Sequence, residues 1–154
     1  MAQEPGFAAA VVLSKGISFA EQAEIRDAID AYNEAQIIDP TIEIPASAWN
    51  TLCWFGSLNG HAADVLFAGE KAASLSPAYK GYQDSRGLAR ALTGDLDGAL
   101  TDFQSVLDGN SFSGLEKARR SRWVAALQAG ENPFTPEELD ALREAEGQAS
   151  VQEL

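Results

Sequence analysis

"DSRGLARALTGDLDGALTDFQ", residues 84–104, places small side chains at Gly87, Ala91, Gly94 and Ala99 and then a bulky one at Phe103. Glycine inside a helix costs about 1 kcal/mol relative to alanine. Gly87 therefore implies a compensating contact, either a second helix at very short range or a ligand against bare backbone. The apolar spacing favours the first. Ala99, Leu100, Phe103, Val106 and Leu107 lie on one helical stripe, and Gly94-Asp95 reads as the turn before it. Working outward, "DVLFAGEKAASL" (64–75) repeats the stripe, and "EIRDAIDAYNEAQIID" (24–39) carries it through Ile25, Ala28, Ile29, Tyr32 and Ala35. Sustained period-2 alternation, the mark of strands, is absent.

The stripes recur at a fixed interval. Gly60 precedes Gly94 by 34 residues, and the same offset relates Cys53 to Gly87, Val65 to Ala99, Gly69 to Phe103 and Ala72 to Val106. A period of 34 belongs to the tetratricopeptide repeat, a helix–turn–helix unit. The residues resemble that family as well. Counted from Ala46, Trp49, Leu52, Cys53, Val65, Ala72 and Pro77 fall where the family prefers Trp, Leu, Gly, Ala, Ala and Pro. The unit from Lys80 supplies Gly87, Gly94, Ala99 and Phe103 at matching places. An earlier unit supplies Gly16, Ala28, Tyr32, Ala35 and Pro40, with Lys15 where leucine is preferred. About three extra residues near Glu43 to Pro45 separate it from the next.

The resemblance implies an all-α fold of three antiparallel helix pairs (9–42, 46–79 and 80–113) in a short right-handed superhelix. It casts Trp49, Gly87, Gly94, Ala99 and Phe103 as structural residues. "SGLEKARRSRWVAALQAG" (113–130) reads as a helix closing at Gly130. "FTPEELDALREAEG" (134–147) opens with Thr135 as N-cap, Pro136 at the first helical position and Glu138 completing a capping box. These last helices, over 114–147, read as a cap, since a repeat stack must cover its final apolar surface. Residues 1–8 and 148–154 read as disordered N-terminus and tail.

Members of this family line a concave groove with positions 2, 5, 9, 12 and 13 of each first helix. Here those are Ser47, Asn50, Trp54, Ser57 and Leu58, then Gly81, Asp84, Leu88, Ala91 and Leu92. The resemblance thus implies a non-catalytic protein-binding module, an adaptor or scaffold, with Asn50, Trp54, Ser57, Asp84, Leu88 and Ala91 facing a partner segment. Trp54 is the natural anchor, because tryptophan is enriched at binding hot spots. The cationic run "KARRSR" (117–122) offers one coherent face, Arg119 with Arg122 or Lys117 with Arg120, of which Arg119 and Arg122 are taken as docking candidates, against the alternative of pairing with nearby acids. Some relatives grip acidic peptide tails with a basic and asparagine clamp. Leu13, Ile17, Ser47 and Thr51 stand at those places, so an acidic tail is not expected. Two stretches, "WNTLCWFGSLNGHAADVLFAGEKA" (49–72) and "QDSRGLARALTGD" (83–95), are similar to tetratricopeptide modules of cyanobacterial multidomain proteins, where such modules follow WD40 or caspase-like domains. The alternative function is a structural unit that pairs with its own copy.

Composition narrows the partner. The 154 residues carry 11 basic and 23 acidic side chains, a formal charge of −12. Nucleic acid and anionic membrane both call for excess positive charge, so neither is expected as a partner. The run "FAAAVVL" (7–13) lacks the cationic flank of a secretory signal, and no apolar run reaches the ~20 residues of a membrane span. One cysteine permits no internal disulfide and suits a reducing cytoplasm. Cys53 and the lone histidine, His61, could suggest a thiol nucleophile, yet Cys53 occupies a small buried position of the repeat. The pairs Asp95 with Asp97 and Glu137 with Glu138 sit where acids complement helix N-termini. No metal site, cofactor or enzymatic activity is expected.

Overall fold

Pro5 opens the first helix, because proline's fixed φ suits the first helical position and its missing N–H has no intrahelical partner there. The structure, a computed structural model, describes residues 4–148. Among them all regular structure is helical: α1 (Pro5–Glu21), α2 (Ile25–Ile38), α3 (Ala46–Leu58), α4 (Ala62–Leu75), α5 (Lys80–Leu92), α6 (Leu96–Asp108), α7 (Gly114–Gln128) and α8 (Pro136–Ala145). The expected disorder over residues 1–8 is corrected from Pro5 onward, since Ala9 and Leu13 bury against the first unit and draw this end into α1. Residues 1–3 and 149–154 lie outside the described residues.

Three-residue turns join α1 to α2, α3 to α4 and α5 to α6, and each pair packs together. The turns share one backbone device. Glu24, His61 and Asp95 donate their N–H groups to the carbonyls of Phe19, Gly56 and Arg90 at 2.8–2.9 Å, which ties off the end of the first helix. The preceding residue must be left-handed. Gly60 and Gly94 take φ of +87° and +96° without side-chain strain, whereas in the first unit Ala23 takes φ of +65°.

Close approach explains the small residues. A Cβ on Gly87 would lie 3.0 Å from the Phe103 ring, and one on Gly16 would lie 2.9 Å from the Tyr32 ring. The middle unit makes the same contact with the roles exchanged. Cys53 stands where its neighbours have glycine, Gly69 stands where they have an aromatic ring, and a Cβ on Gly69 would lie 2.6 Å from Cys53 Sγ. Each unit thus seats one small residue against one larger one. The Tyr32 hydroxyl donates to the Ala48 carbonyl at 2.6 Å and ties the first unit to the second. Trp49 is buried between Tyr32 and Phe67, with ring centroids 5.6 Å from each.

The first helices touch in series, α1 on α3 and α3 on α5, while α2, α4 and α6 do not pack on one another to a like extent. Such an arrangement curves the stack, with the α1–α3–α5 row on its inner face. At the C-terminal end α7 packs on α6, and Trp123 stacks with Phe103 and Phe134 at 5.1 and 4.8 Å. Thr135 caps α8 by accepting from the Glu138 N–H at 3.2 Å. The second half of the expected capping box is not formed, because the Glu138 carboxylate accepts from the Trp123 indole at 3.1 Å instead. That bond is one of the contacts that hold α8 against α7. Instead of extending the stack, α8 crosses the inner face and packs on α3.

Candidate functional site

The inner row of helices builds the candidate site, and α8 divides it in two. Its lower half is the C-terminal part of α3 and α5. Ser57 and Ala91 are almost fully buried there, and Leu88 has 0% exposure within an apolar cluster that includes Phe103, Trp123 and Leu142. Leu142 and Arg143 of α8 are buried in turn. The Arg143 guanidinium donates to the Leu58 carbonyl, at the end of α3 where unpaired carbonyls and the helix dipole favour a cation. It also pairs with Asp140. The Trp54 indole N–H donates to Glu146 at 3.1 Å. Gln148, expected within a frayed tail, is held instead: it accepts from Asn59 at 3.0 Å and donates to the Glu21 carbonyl at 2.8 Å.

The upper half stays open as a cavity of about 290 Å³, among whose lining residues are Asn50, Trp54, Tyr79, Asp84, Phe112 and Arg120. Its floor is an ion pair. Arg120 of α7 grips Asp84 of α5 with two hydrogen bonds of 3.0 and 2.7 Å, both side chains nearly fully buried. Burial pushes the Asp84 carboxyl above its ordinary range, against the pull of Arg120. Phe112 stacks on the guanidinium at 3.9 Å. Tyr79 stands at the rim, 61% exposed. The Asn50 Oδ1 is buried without a hydrogen-bond partner, an acceptor whose desolvation is not compensated within the chain.

Placed in this geometry, the eight residues read from sequence as partner-facing divide. Asn50 and Trp54 border the open cavity. Asp84 lines it too, but with its carboxylate committed to Arg120. Ser57, Leu88 and Ala91 lie beneath α8, buried from solvent; the sequence pattern marks the inner helix face and cannot register that α8 covers it. Arg119 is buried and pairs with Glu116 at 3.1 Å, so docking by this residue is corrected to internal pairing. Arg122 remains 62% exposed, 3.6 Å from Glu138. Sequence reasoning missed Tyr79 and Phe112 as parts of the cavity, and considered Arg120 only as a member of an alternative cationic face. Their signal, aromatic and cationic residues flanking the third unit, emerges only once α7 is placed against α5.

The thiol and the imidazole bond elsewhere. Cys53 is fully buried, its S–H directed to the Ser85 carbonyl at 3.5 Å, and burial pushes its pKa up to about 12. His61 pairs with Asp64 at 3.1 Å. Asp95 caps α6 through the Gly98 N–H at 2.9 Å. Among the described residues, no group of three or more His, Cys, Asp or Glu side chains is placed to hold a metal ion, and no helix is long and apolar enough to cross a membrane.

No protein-family model matches the chain, and no curated protein matches it. Solved structures do. The chain is similar to a structure described as the first TPR of Spaghetti (RPAP3) bound to an HSP90 peptide, with a TM-score of 0.62 and 22% identity, covering 80% of this chain and 95% of that one. It is also similar to the solution structure of the first TPR domain of human RPAP3, with a TM-score of 0.61 and 23% identity, covering 82% and 97%. The chain has a tetratricopeptide-like helical-repeat fold.

Proposed function

We propose that the chain is a non-catalytic protein-interaction module that takes a segment of a partner protein on its inner face. The observation that carries this reading is the open upper cavity, where an exposed phenol, an indole and an unpartnered amide oxygen converge on the inner row of helices. Rings with a polar handle are what interfaces use as anchors. The similar TPR structure that holds an HSP90 peptide supports a peptide as the occupant. The cavity itself argues against an acidic tail. Leu13, Ile17, Ser47 and Thr51 supply no cationic clamp, Arg120 is neutralised by Asp84, and Glu146 adds negative charge at the border. The segment is therefore neutral or basic. An adaptor role beside other domains in the cytoplasm, as the resemblance to multidomain modules implies, belongs to the same proposal.

The test is capture of partners from the native host by the immobilised chain, compared with Tyr79→Ala and Asn50→Leu. Both variants are expected to keep wild-type helical circular dichroism and to lose the captured protein. Capture unchanged in both would remove the upper cavity as the binding site. Trp54→Ala is expected to weaken capture as well, through loss of both a wall and the Glu146 bond.

A further inference from the structure

The lower half of the inner face already holds a ligand, and that ligand belongs to the chain. One stripe of α8, Leu139, Leu142, Arg143 and Glu146, makes the seat. The leucines enter the apolar cluster, Arg143 reaches the free carbonyl of Leu58, and Glu146 takes the Trp54 indole N–H. Each contact uses a general property of the wall rather than anything specific to a tethered segment. The seat is also imperfect. Clefts of about 390 Å³ open on both sides of Leu139, one lined by Ser57, Ala62, Leu92 and Thr93, the other by Leu58, Gly60, Asp140 and Arg143. Arg143 Nε is buried there without a partner among the described residues, in a residue 4% exposed. Within the helix pairs the contacts close tightly: a Cβ on Gly16, Gly56, Gly69 or Gly87 would lie 2.6–3.0 Å from the facing side chain. Unfilled space and an unpaired polar atom both lower the cost of leaving. Residues 129–135, which join α7 to α8, give the helix a tether.

We propose that α8 is a resident occupant of the lower groove, and that the groove takes from a partner protein an amphipathic helix of the same pattern. That pattern is two leucines three apart, arginine directly after the second, and an acid three residues further on. The proposal rests on the reading of the inner face as the partner-binding face and names the partner class for its lower half. A short tether gives a displaced helix an effective concentration on the order of millimolar. α8 therefore acts as a threshold: a segment that fills the clefts displaces it, and a looser one does not.

The experiment uses a fluorescein-labelled peptide of residues 134–148 as probe for the full chain and for Leu139→Asp. Leu139 is only partly buried, and circular dichroism checks that the variant keeps its helices. The expected result is weak binding to the wild type and at least tenfold tighter binding to Leu139→Asp, with a further probe carrying alanine in place of Arg143 at least tenfold weaker. Should the variant lose its fold, hydrogen exchange of the wild-type chain answers the question: excess probe is expected to speed exchange most at the amides of 138–146. Equal binding to wild type and variant would overturn the role of α8 as occupant. Absence of binding to both, or exchange unchanged by the probe, would overturn the lower groove as a helix acceptor, while the upper cavity would still stand or fall by Tyr79 and Asn50. Probe bound only by dimers in light scattering would replace the partner with a second copy.

Discussion

The first two units and the third are built on one pattern but held together differently. In the first two, the buried side chains are apolar apart from Ser57 and Cys53, and the Tyr32 hydroxyl supplies the polar tie. From residue 80 onward the interior also holds Asp84, Asp102, Arg119, Arg120 and Arg143. Asp102 of α6 receives Arg86 through bonds of 3.1 and 2.7 Å and Arg90 at 3.0 Å, and Asp84 receives Arg120. Apolar burial is non-directional and tolerates a small slip between helices. A bidentate ion pair in low dielectric does not, since losing one partner leaves a charge stranded. The apolar end supplies a stack; the ionic end fixes where α7, and with it α8, must lie over the groove.

The largest effect should come from breaking the ionic end. Asp84→Ala leaves Arg120 with the half-exposed Glu116 as its remaining acidic partner and is expected to cost up to about 3 kcal/mol in urea unfolding. Replacing both partners, with Asp84→Leu and Arg120→Met, is expected to restore most of that stability. Because no charge is then buried alone, restoration would show that the pair supplies direction more than energy. Over-packing the shared pattern comes next. Gly87→Leu drives a side chain into Phe103 and is expected to cost about 1–3 kcal/mol; a wild-type melting temperature would contradict the close contact. The middle unit sharpens the comparison. Gly69→Ala should destabilise alone and be partly rescued by Cys53→Gly, because the two groups share one space. Additive costs in that double variant would mean that the exchanged roles do not compensate.

Two smaller effects belong to the apolar end. Ala23→Gly removes a left-handed alanine and is expected to stabilise by about 1 kcal/mol, whereas Gly60→Ala and Gly94→Ala destabilise by a like amount. Alkylation of Cys53 is expected to be negligible at about pH 9 in the native state. The thiolate is the reactive form, and with the pKa pushed up to about 12 by burial it becomes appreciable only as pH approaches that value. Rapid native labelling would mean that α3 and α4 open readily.

Much of the fold was legible because its signals are local and periodic. The spacing of 34 placed the turns at Gly60 and Gly94, and the recurring small residues marked the faces that touch. The left-handed turn at Ala23 was not read from the sequence, because alanine does not announce such a turn as glycine does. The candidate site was less legible. Which residues lie on the inner helix face follows from position in the repeat; which of them meet solvent depends on where α8 goes. Its position rests on contacts distant in sequence, among them Glu138 with the Trp123 indole and Arg143 with the Leu58 carbonyl. Two members of the cationic run, Arg119 and Arg120, turn inward, and the burial of Arg120 was hidden from the sequence because its partner Asp84 sits 36 residues away.

The two bonds of Gln148, to Asn59 and to the Glu21 carbonyl, bring the last described residue beside the first hairpin. A linear array of repeats transmits disturbance only to adjacent units and can unravel from either extremity. Here the final segment reaches back to the start and turns a line into a loop. Melting should then proceed as one cooperative event, and whatever dislodges the closing segment is felt at the opposite extremity without passing through the middle.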